Sequence, residues 1–328
     1  MGERPKVENV AKLKNKKVLV TGGAGFIGSY LVDDLVAQKN QVVVIDNLSS
    51  GKRENINPRA KFYKIDIRSK KISKIFKKEK PEVVFHIAAY PIVEKALRNP
   101  IAAFDTNIMG TVNVLEACRA IRNIKSIIVA SSDKAYGKSK KLPYKETSPL
   151  QGDHPYDASK SSADLIAQTY FKTYDLPILI TRFSNVFGPR DYNTSRIIPG
   201  IMEAVMNKKT LLIRSDGKMV REYTYVKDIV QGCIALATYK KSFGEAFNFG
   251  SNNIFSVIEV VKKSQATLGK KVEYKILNNA KNEIPKQHLN WSKAKNKLHW
   301  KPKVSFGEGI KKTFDWYKNV FKNNYLVG

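Results

Sequence analysis

The sequence predicts an α/β fold: a doubly wound parallel sheet covered by helices, with a smaller C-terminal lobe interleaved with it along the chain. Three observations carry this. Short β-branched runs alternate with longer helical patterns through the first half. The strand-like runs are apolar throughout, as strands buried on both faces are. Gly22, Gly25 and Gly28 fall right after the first strand and at the mouth of the first helix, where a chain must turn tightly.

The elements follow in order. "KKVLVTG" (16–22) reads as a strand and "FIGSYLVDDLVAQKN" (26–40) as a helix. "QVVVIDN" (41–47) and "KFYKID" (61–66) are the second and third strands, "ISKIFKKEK" (72–80) a helix, and "PEVVFHIA" (81–88) the fourth strand. "IAAFDTNIMGTVNVLEACRAI" (101–121) is one long helix, followed by the fifth strand "SIIVASS" (126–132). "PYDASKSSADLIAQTYFKTY" (155–174) is a second long helix, and "PILITRFSN" (177–185) the sixth strand. From about Val186 the rhythm breaks into loops, short strands and scattered helices. The stretch 223–250 returns to helix then strand and is expected to rejoin the sheet. The expected division is an N-terminal extension over 1–15, a nucleotide-binding domain over 16–185 plus about 223–250, and a substrate lobe over 186–222 and 251–328.

The 328 residues are enough for a large core and two linked lobes. No apolar run approaches the roughly 20 residues of a membrane span. The polar, basic start "MGERPKVENVAKLKNKK" is not a secretory signal. Cys118 and Cys233 sit in helical patterns and the four histidines do not cluster, which argues against a disulfide framework or a metal site. A reducing cytoplasm is the expected compartment. The net charge of +29 raises a nucleic-acid or anionic-membrane surface. The lysines lie on amphipathic patterns without interleaved aromatics, which favours a solvated face and an anionic small substrate. No nucleic acid or membrane is expected as a partner.

The glycine triplet lets backbone approach a pyrophosphate, with helix N–H groups and the helix dipole facing the anion. Asp46 ends the second strand, 18 residues past Gly28. A carboxylate there accepts hydrogen bonds from both ribose hydroxyls of the adenosine and repels a 2′-phosphate, so NAD is the expected cofactor. Asp66, after the third strand, is placed to reach the adenine edge or to close a turn.

"PYDASK" puts Tyr156 and Lys160 one helical turn apart on one face. A phenol with its ordinary pKa of about 10 is a poor base, and a nearby ammonium favours the phenolate. Tyr156 then takes a proton from a sugar hydroxyl that Ser132 holds by a hydrogen bond.

With these residues in place the chain resembles the extended short-chain dehydrogenase/reductases of the nucleotide-sugar epimerase/dehydratase group. The matching stretches are "TGGAGFIG", "VVVIDNLSSG", "VVFHIAA", "NIMGTVNVLEA", "SSDKAYG", "PYDASK", "ITRFSNVFGPRD", "REYTYVKD" and "SKAKNKLHWKPKVSFGEGIKKTFDWY". They cover nearly the whole chain. The resemblance implies a Rossmann-type domain and a substrate of sugar linked to a nucleoside diphosphate. It extends the cofactor set to Phe26, Ile27, Asn47, Ile67, Ala88, Ala89, Asn107, Tyr156 and Lys160. For the substrate it implies Asn185 and Arg221, Arg221 because its fork holds two phosphate oxygens. Arg196 is a further candidate, and Arg182 and Arg190 are equally readable as structural. Lys95 stands where relatives carry a basic group near the substrate. A homodimer through the two long helices is implied as well.

The reaction turns on "SSDKAYG". The resemblance implies a hydroxyl–Asp–Glu run here in most sugar 4,6-dehydratases, with the Asp protonating the departing carbon-6 hydroxyl and the Glu removing the carbon-5 proton. Simple 4-epimerases carry small or uncharged residues after the Ser. This chain has Ser132, Asp133 and Lys134, which resembles the CDP-glucose 4,6-dehydratase branch. Lys134 acts as a base if neutral, or stabilises the enolate if charged. The expected function is an NAD-dependent nucleotide-diphospho-sugar 4,6-dehydratase. The alternatives are a 4-epimerase in which Asp133 and Lys134 merely pair across a turn, and, more remotely, a non-catalytic NAD- or RNA-binding protein.

Overall fold

In a computed structural model the protein is described over residues 12–280 and 283–322. Of the expected extension over 1–15, residues 1–11 lie outside the described residues. The first half runs β1 (Lys17–Thr21), α1 (Phe26–Ala37), β2 (Gln41–Asp46), β3 (Lys61–Lys64), α2 (Ile72–Glu79) and β4 (Val83–His86). It continues with α3 (Val93–Arg98), α4 (Pro100–Phe104), α5 (Gly110–Arg119), β5 (Ser126–Ser132), α6 (Pro155–Tyr174) and β6 (Ile178–Phe183). Then come β7 (Asn185–Phe187), α7 (Ile197–Asn207), β8 (Leu211–Ile213), β9 (Val220–Tyr225), α8 (Val226–Thr238) and β10 (Ala246–Phe249). The described residues end with β11 (Ile254–Ser256), α9 (Val257–Leu268), β12 (Tyr274–Ile276), α10 (Ser292–Leu298) and α11 (Phe306–Lys322).

Seven strands form one parallel sheet in the order β3-β2-β1-β4-β5-β6-β10. Strand order reverses between β1 and β4, where Thr21 pairs with His86. A crevice opens beyond the carboxyl ends of strands at such a reversal. β10 comes from the 223–250 stretch and closes one edge of the sheet beside β6. Along β1 the side chains alternate, as the pleat requires. Val18 and Val20 join Leu31, Leu35 and Ile234 on one face, and Leu19 joins Phe76, Val114 and Ile178 on the other. Cys233 and Cys118 are buried thiols in these two layers. A third core lies in the later part of the chain, where Ile201, Met202, Tyr223, Val260, Ile310 and Tyr317 pack around β9.

Two elements differ from the sequence reading. β3 is an edge strand, and its Lys61 and Lys64 are exposed rather than buried on both faces. Charge on an edge discourages pairing with another chain. The expected helix over 101–121 is interrupted by a π-helical turn at Asp105–Met109. It carries Asn107 inward, and Gly110 after it clears the Ile67 side chain, which a Cβ would meet at 2.6 Å.

β6 and α6 are tied by a buried ion pair. Arg182 donates to Asp164 from Nε at 2.8 Å and from Nη2 at 2.9 Å, and its Nη1 donates to Tyr136 Oη at 2.9 Å. Those partners make Arg182 a fold residue. Among the described residues no helix is long and apolar enough to cross a membrane.

Candidate active site

The first cleft lies at the strand-order reversal. Gly22 has φ of +73°, and a Cβ there would stand 2.7 Å from the Ala88 backbone. A Cβ on Gly28 would stand 2.0 Å from the Gly22 carbonyl. Side chains at these positions would fill the cradle that α1 opens onto. The cleft is lined by Gly22, Gly25, Phe26, Ile27, Gly28, Asp46, Asn47, Ile67, Ala88 and Ala89. Asp46 is buried and accepts from Ala24 N at 3.0 Å and Leu48 N at 2.8 Å. Burial pushes its pKa up, and these two backbone bonds oppose that. A bare glycine cradle under a helix N-terminus, with a fixed carboxylate at the next strand end, fits NAD.

Three expected contributors sit differently. Asp66 is outside this lining: it pairs with Arg68 at 2.8 Å and accepts from Asn47 Nδ2 at 2.7 Å. The Arg68 side chain holds its carboxyl down at about 2. Asn107 is buried behind the wall, accepting from Tyr90 N at 2.7 Å and donating to Ser159 Oγ at 2.8 Å. Lys95 lines this cleft rather than the second one. Arg190 also lines it, stacked 4.8 Å over Tyr30 and paired with Asp33 at 2.7 Å.

The second cavity is lined by Ser132, Lys134, Tyr156, Asn185, Arg196 and Arg221 together with Ser131, Thr194, Arg214 and Glu283. The two clefts share Ile27, Pro91, Ile92, Asp191, Asn193 and Arg196, so they are continuous. Arg196 Nη1 donates to Asp191 at 3.1 Å. Arg221 is buried on β9 and donates to Glu283 at 3.3 Å.

At the end of β5, Ser132 Oγ accepts from Lys134 N at 3.2 Å and donates to Asp133 Oδ1 at 3.1 Å. Ser132 therefore caps the 3₁₀ turn Asp133–Tyr136. Asp133 is 1% exposed and lies one layer behind the cavity lining. Burial raises its pKa against the Lys134 and Arg221 charges. Lys134 Nζ donates to Gln287 Oε1 at 2.7 Å. Burial lowers the Lys134 pKa, and Arg221 adds to the lowering.

Asp157, the residue after Tyr156, is 4% exposed, and burial pushes its pKa to about 7. Burial lifts Glu222 to about 8 although it accepts from Leu289 N at 2.9 Å and from Ser251 N at 2.5 Å. Asp157, Glu222 and Gln287 are not among the residues the sequence motifs point to. Asp157 lay inside the "PYDASK" motif and offered a signal; Gln287 offered none.

Lys160 Nζ donates to the Ala130 carbonyl at 2.6 Å, and burial lowers its pKa to about 8. Burial pushes the Tyr156 phenol up to about 12, with Arg196 the leading charge that opposes it. That differs from the expected lowering by Lys160, whose ammonium is bound to the β5 backbone. Beside Lys160, His86 is held neutral by burial, between Thr21 Oγ1 at 2.7 Å and Thr111 Oγ1 at 3.0 Å.

Lys160, expected at the cofactor and the reacting hydroxyl, lines neither cleft, because its ammonium is held by the Ala130 carbonyl. A dinucleotide cleft opening into a polar cavity lined by Ser132 and Tyr156, with Lys160 one turn on along the Tyr156 helix, defines an NAD-dependent short-chain dehydrogenase/reductase acting on nucleotide sugars. Comparison with known proteins gives the family. The model of the GDP-mannose 4,6 dehydratase family matches residues 19–313, and the chain belongs to that family. The solved UDP-glucose 4-epimerase of Thermotoga maritima with UDP-glucose is 35% identical, with 93% of this chain and 99% of that chain covered and a TM-score of 0.87. The dTDP-glucose 4,6-dehydratase of Bacillus anthracis, solved with NAD, is 32% identical, with 93% and 97% covered and a TM-score of 0.83. The Homo sapiens dTDP-D-glucose 4,6-dehydratase is 32% identical over 329 residues, covering 94% of this chain and 91% of the relative. The protein is an NAD-dependent enzyme of the nucleotide-sugar dehydratase/epimerase superfamily.

Proposed function

We propose that the protein is a nucleotide-diphospho-hexose 4,6-dehydratase. The observation that carries this reading is Asp133: a carboxyl 1% exposed, hydrogen-bonded to Ser132 of the cavity wall, with burial favouring its protonated form. An epimerase that only oxidises and re-reduces carbon 4 has no use for a stored acid beside its hydroxyl-binding serine.

Gly22, Gly25, Gly28 and Asp46 hold the cofactor, which supplies when bound the acceptor and later donor of one hydride. Tyr156 Oη, as the phenolate that the positively charged cofactor would favour against burial, takes the proton of the carbon-4 hydroxyl, and Ser132 Oγ orients that hydroxyl. The ketone acidifies carbon 5, and Lys134 Nζ, with its pKa lowered by burial, takes that proton. Asp133, behind the cavity wall, gives its proton by way of Ser132 Oγ, to which it is hydrogen-bonded at 3.1 Å, and the carbon-6 hydroxyl that receives it leaves as water. Lys134 returns its proton to carbon 5 when carbon 6 is reduced. One proton enters at Tyr156 and one leaves from Asp133, so the site is restored when they exchange. Arg221 and Asn185 hold the diphosphate end, with Arg196 beside the Tyr156 phenol.

The same reading assigns 16–185 and about 223–250 to the cofactor domain, and 186–222 and 251–328 to the substrate lobe. The entry of β10 into the main sheet supports it. It includes a homodimer through α5 and α6, supported by exposed Ile101, Met109, Leu165 and Tyr174 on that side of the fold. Light scattering at twice the monomer mass checks it.

The test of function is incubation with CDP-, dTDP-, UDP- and GDP-hexoses and analysis of the products. A 4-keto-6-deoxy sugar from one of them is expected. An inverted carbon-4 hydroxyl with carbon 6 intact overturns the reading in favour of the epimerase.

A further inference from the structure

Lys134 draws its side-chain partner from far away in the chain. Gln287 stands 153 residues later, in the irregular segment before α10, and is 0% exposed. Its backbone is pinned by donation from Gln287 N to Val220 O at 3.1 Å, which sets this segment against β9 next to Arg221. Neighbouring Leu289 N donates to Glu222 at 2.9 Å, and Tyr144 N donates to the His288 carbonyl at 3.0 Å. The segment is thus fastened on both sides of Gln287, and its amide arrives at Lys134 from a rigid support. An ammonium or amine N–H can only donate here, so the side-chain oxygen is the atom that faces it.

We propose that Gln287 is a positioning residue for Lys134: its neutral oxygen aims the amine into the substrate cavity without adding the negative charge that would hold the amine protonated. This rests on the reading of Lys134 as the carbon-5 base. The chemistry of the partner is what matters. A carboxylate at the same distance would pair with the ammonium and favour it, whereas an amide oxygen accepts the hydrogen bond at much smaller electrostatic gain. The other groups facing Lys134 are Asp133 on its own turn, Asp157 and His154 at the start of α6, Arg221 on β9 and Glu283 in the segment after β12. The acidic groups Asp133, Asp157 and Glu283 favour the charged amine and Arg221 opposes it. Gln287 is the partner in hydrogen-bond contact through its side chain, and a change of one atom there shifts the balance with the least change of shape.

Two variants test this. Gln287→Glu keeps the shape and supplies the charge; Gln287→Met keeps the volume and removes the acceptor. The direct readout is competitive acetylation of Lys134 by trace acetic anhydride across a pH series, quantified by mass spectrometry of the whole NAD-loaded enzyme. In Gln287→Glu the labelling midpoint is expected to rise by on the order of one pH unit, with the acid limb of kcat moving the same way. In Gln287→Met kcat is expected to fall roughly tenfold or more while KM stays within about twofold, the signature of lost positioning rather than lost binding. An unchanged midpoint and an unchanged pH profile in Gln287→Glu overturn the proposal. If the midpoint moves but no hexose substrate loses water, the positioning stands and the dehydratase reading fails. If water is lost and neither readout moves, the positioning alone fails.

Discussion

The two clefts that meet at Arg196 are built on different physics. The cofactor cleft is shaped by backbone: glycines that leave room, a helix terminus, and Asp46 with each carboxylate oxygen taking a backbone N–H. The turn at the end of β5 holds charge instead. Asp133, Lys134 and Asp157 lie close together and feel the Arg221 charge, and burial pulls all three toward their neutral forms. One region is a backbone mould with no room for an added atom at Gly22 and Gly28. The other is a buried cluster of titratable groups whose protonation is set by burial and by one another's charge. A chain that must both grip a dinucleotide and move protons at a sugar separates the two tasks along one continuous groove.

The sharpest way to break this contrast is Asp133→Asn, which keeps shape and removes the acid. Turnover to the 4-keto-6-deoxy product is expected to fall by roughly 10²–10⁴-fold, while single-turnover oxidation at carbon 4 persists. Full turnover in that variant would reduce Asp133 to a turn residue. Gly28→Ala attacks the other region. Its methyl meets the Gly22 carbonyl at 2.0 Å, so the fold must shift or lose the cradle. A stability loss of about 1–3 kcal/mol in urea unfolding is expected, and weaker NAD binding by calorimetry with it. Unchanged NAD affinity would mean that the cleft is not a close mould.

A smaller effect comes from Asp157 alone. Its carboxyl titrates at about 7 in the fold, against 3.8 unfolded. Between those values the folded chain keeps a proton that the unfolded chain has released. Stability from this group is therefore present at low pH and lost as pH rises from about 4 to about 7. Asp157→Asn is expected to flatten that decline in urea midpoints measured across the window. An identical slope in both proteins would show that Asp157 ionises freely.

The mould was legible in the sequence because it is local. Gly22, Gly25, Gly28 and Asp46 lie within one strand–helix–strand unit, where spacing alone fixes geometry. Ser132 and Tyr156 reach the second cavity from a strand end and a helical turn, both local features, whereas Lys160, on the same turn, is drawn to the Ala130 carbonyl and lines neither cleft. The titratable cluster was half legible. Asp133 and Lys134 are adjacent letters, but the burial that sets their protonation comes from β9 and from the Gln287 segment, which no periodicity announces. Asn107 shows the converse. It sits in a matching motif, yet the π-helical turn points its amide at Tyr90 and Ser159, behind the cleft wall. Lys95 likewise fell on the cofactor side, because α3 stands at the junction and no pattern says which cavity a junction residue faces.

Dehydration is decided at carbons 5 and 6 of the sugar. Turnover in deuterated water followed by NMR of the product reads both. The predicted result is a 4-keto sugar with a methyl at carbon 6 and one solvent deuterium at carbon 5, the latter strongly reduced in Lys134→Met. A product inverted at carbon 4, with its carbon-6 hydroxyl retained and no deuterium at carbon 5, would contradict it.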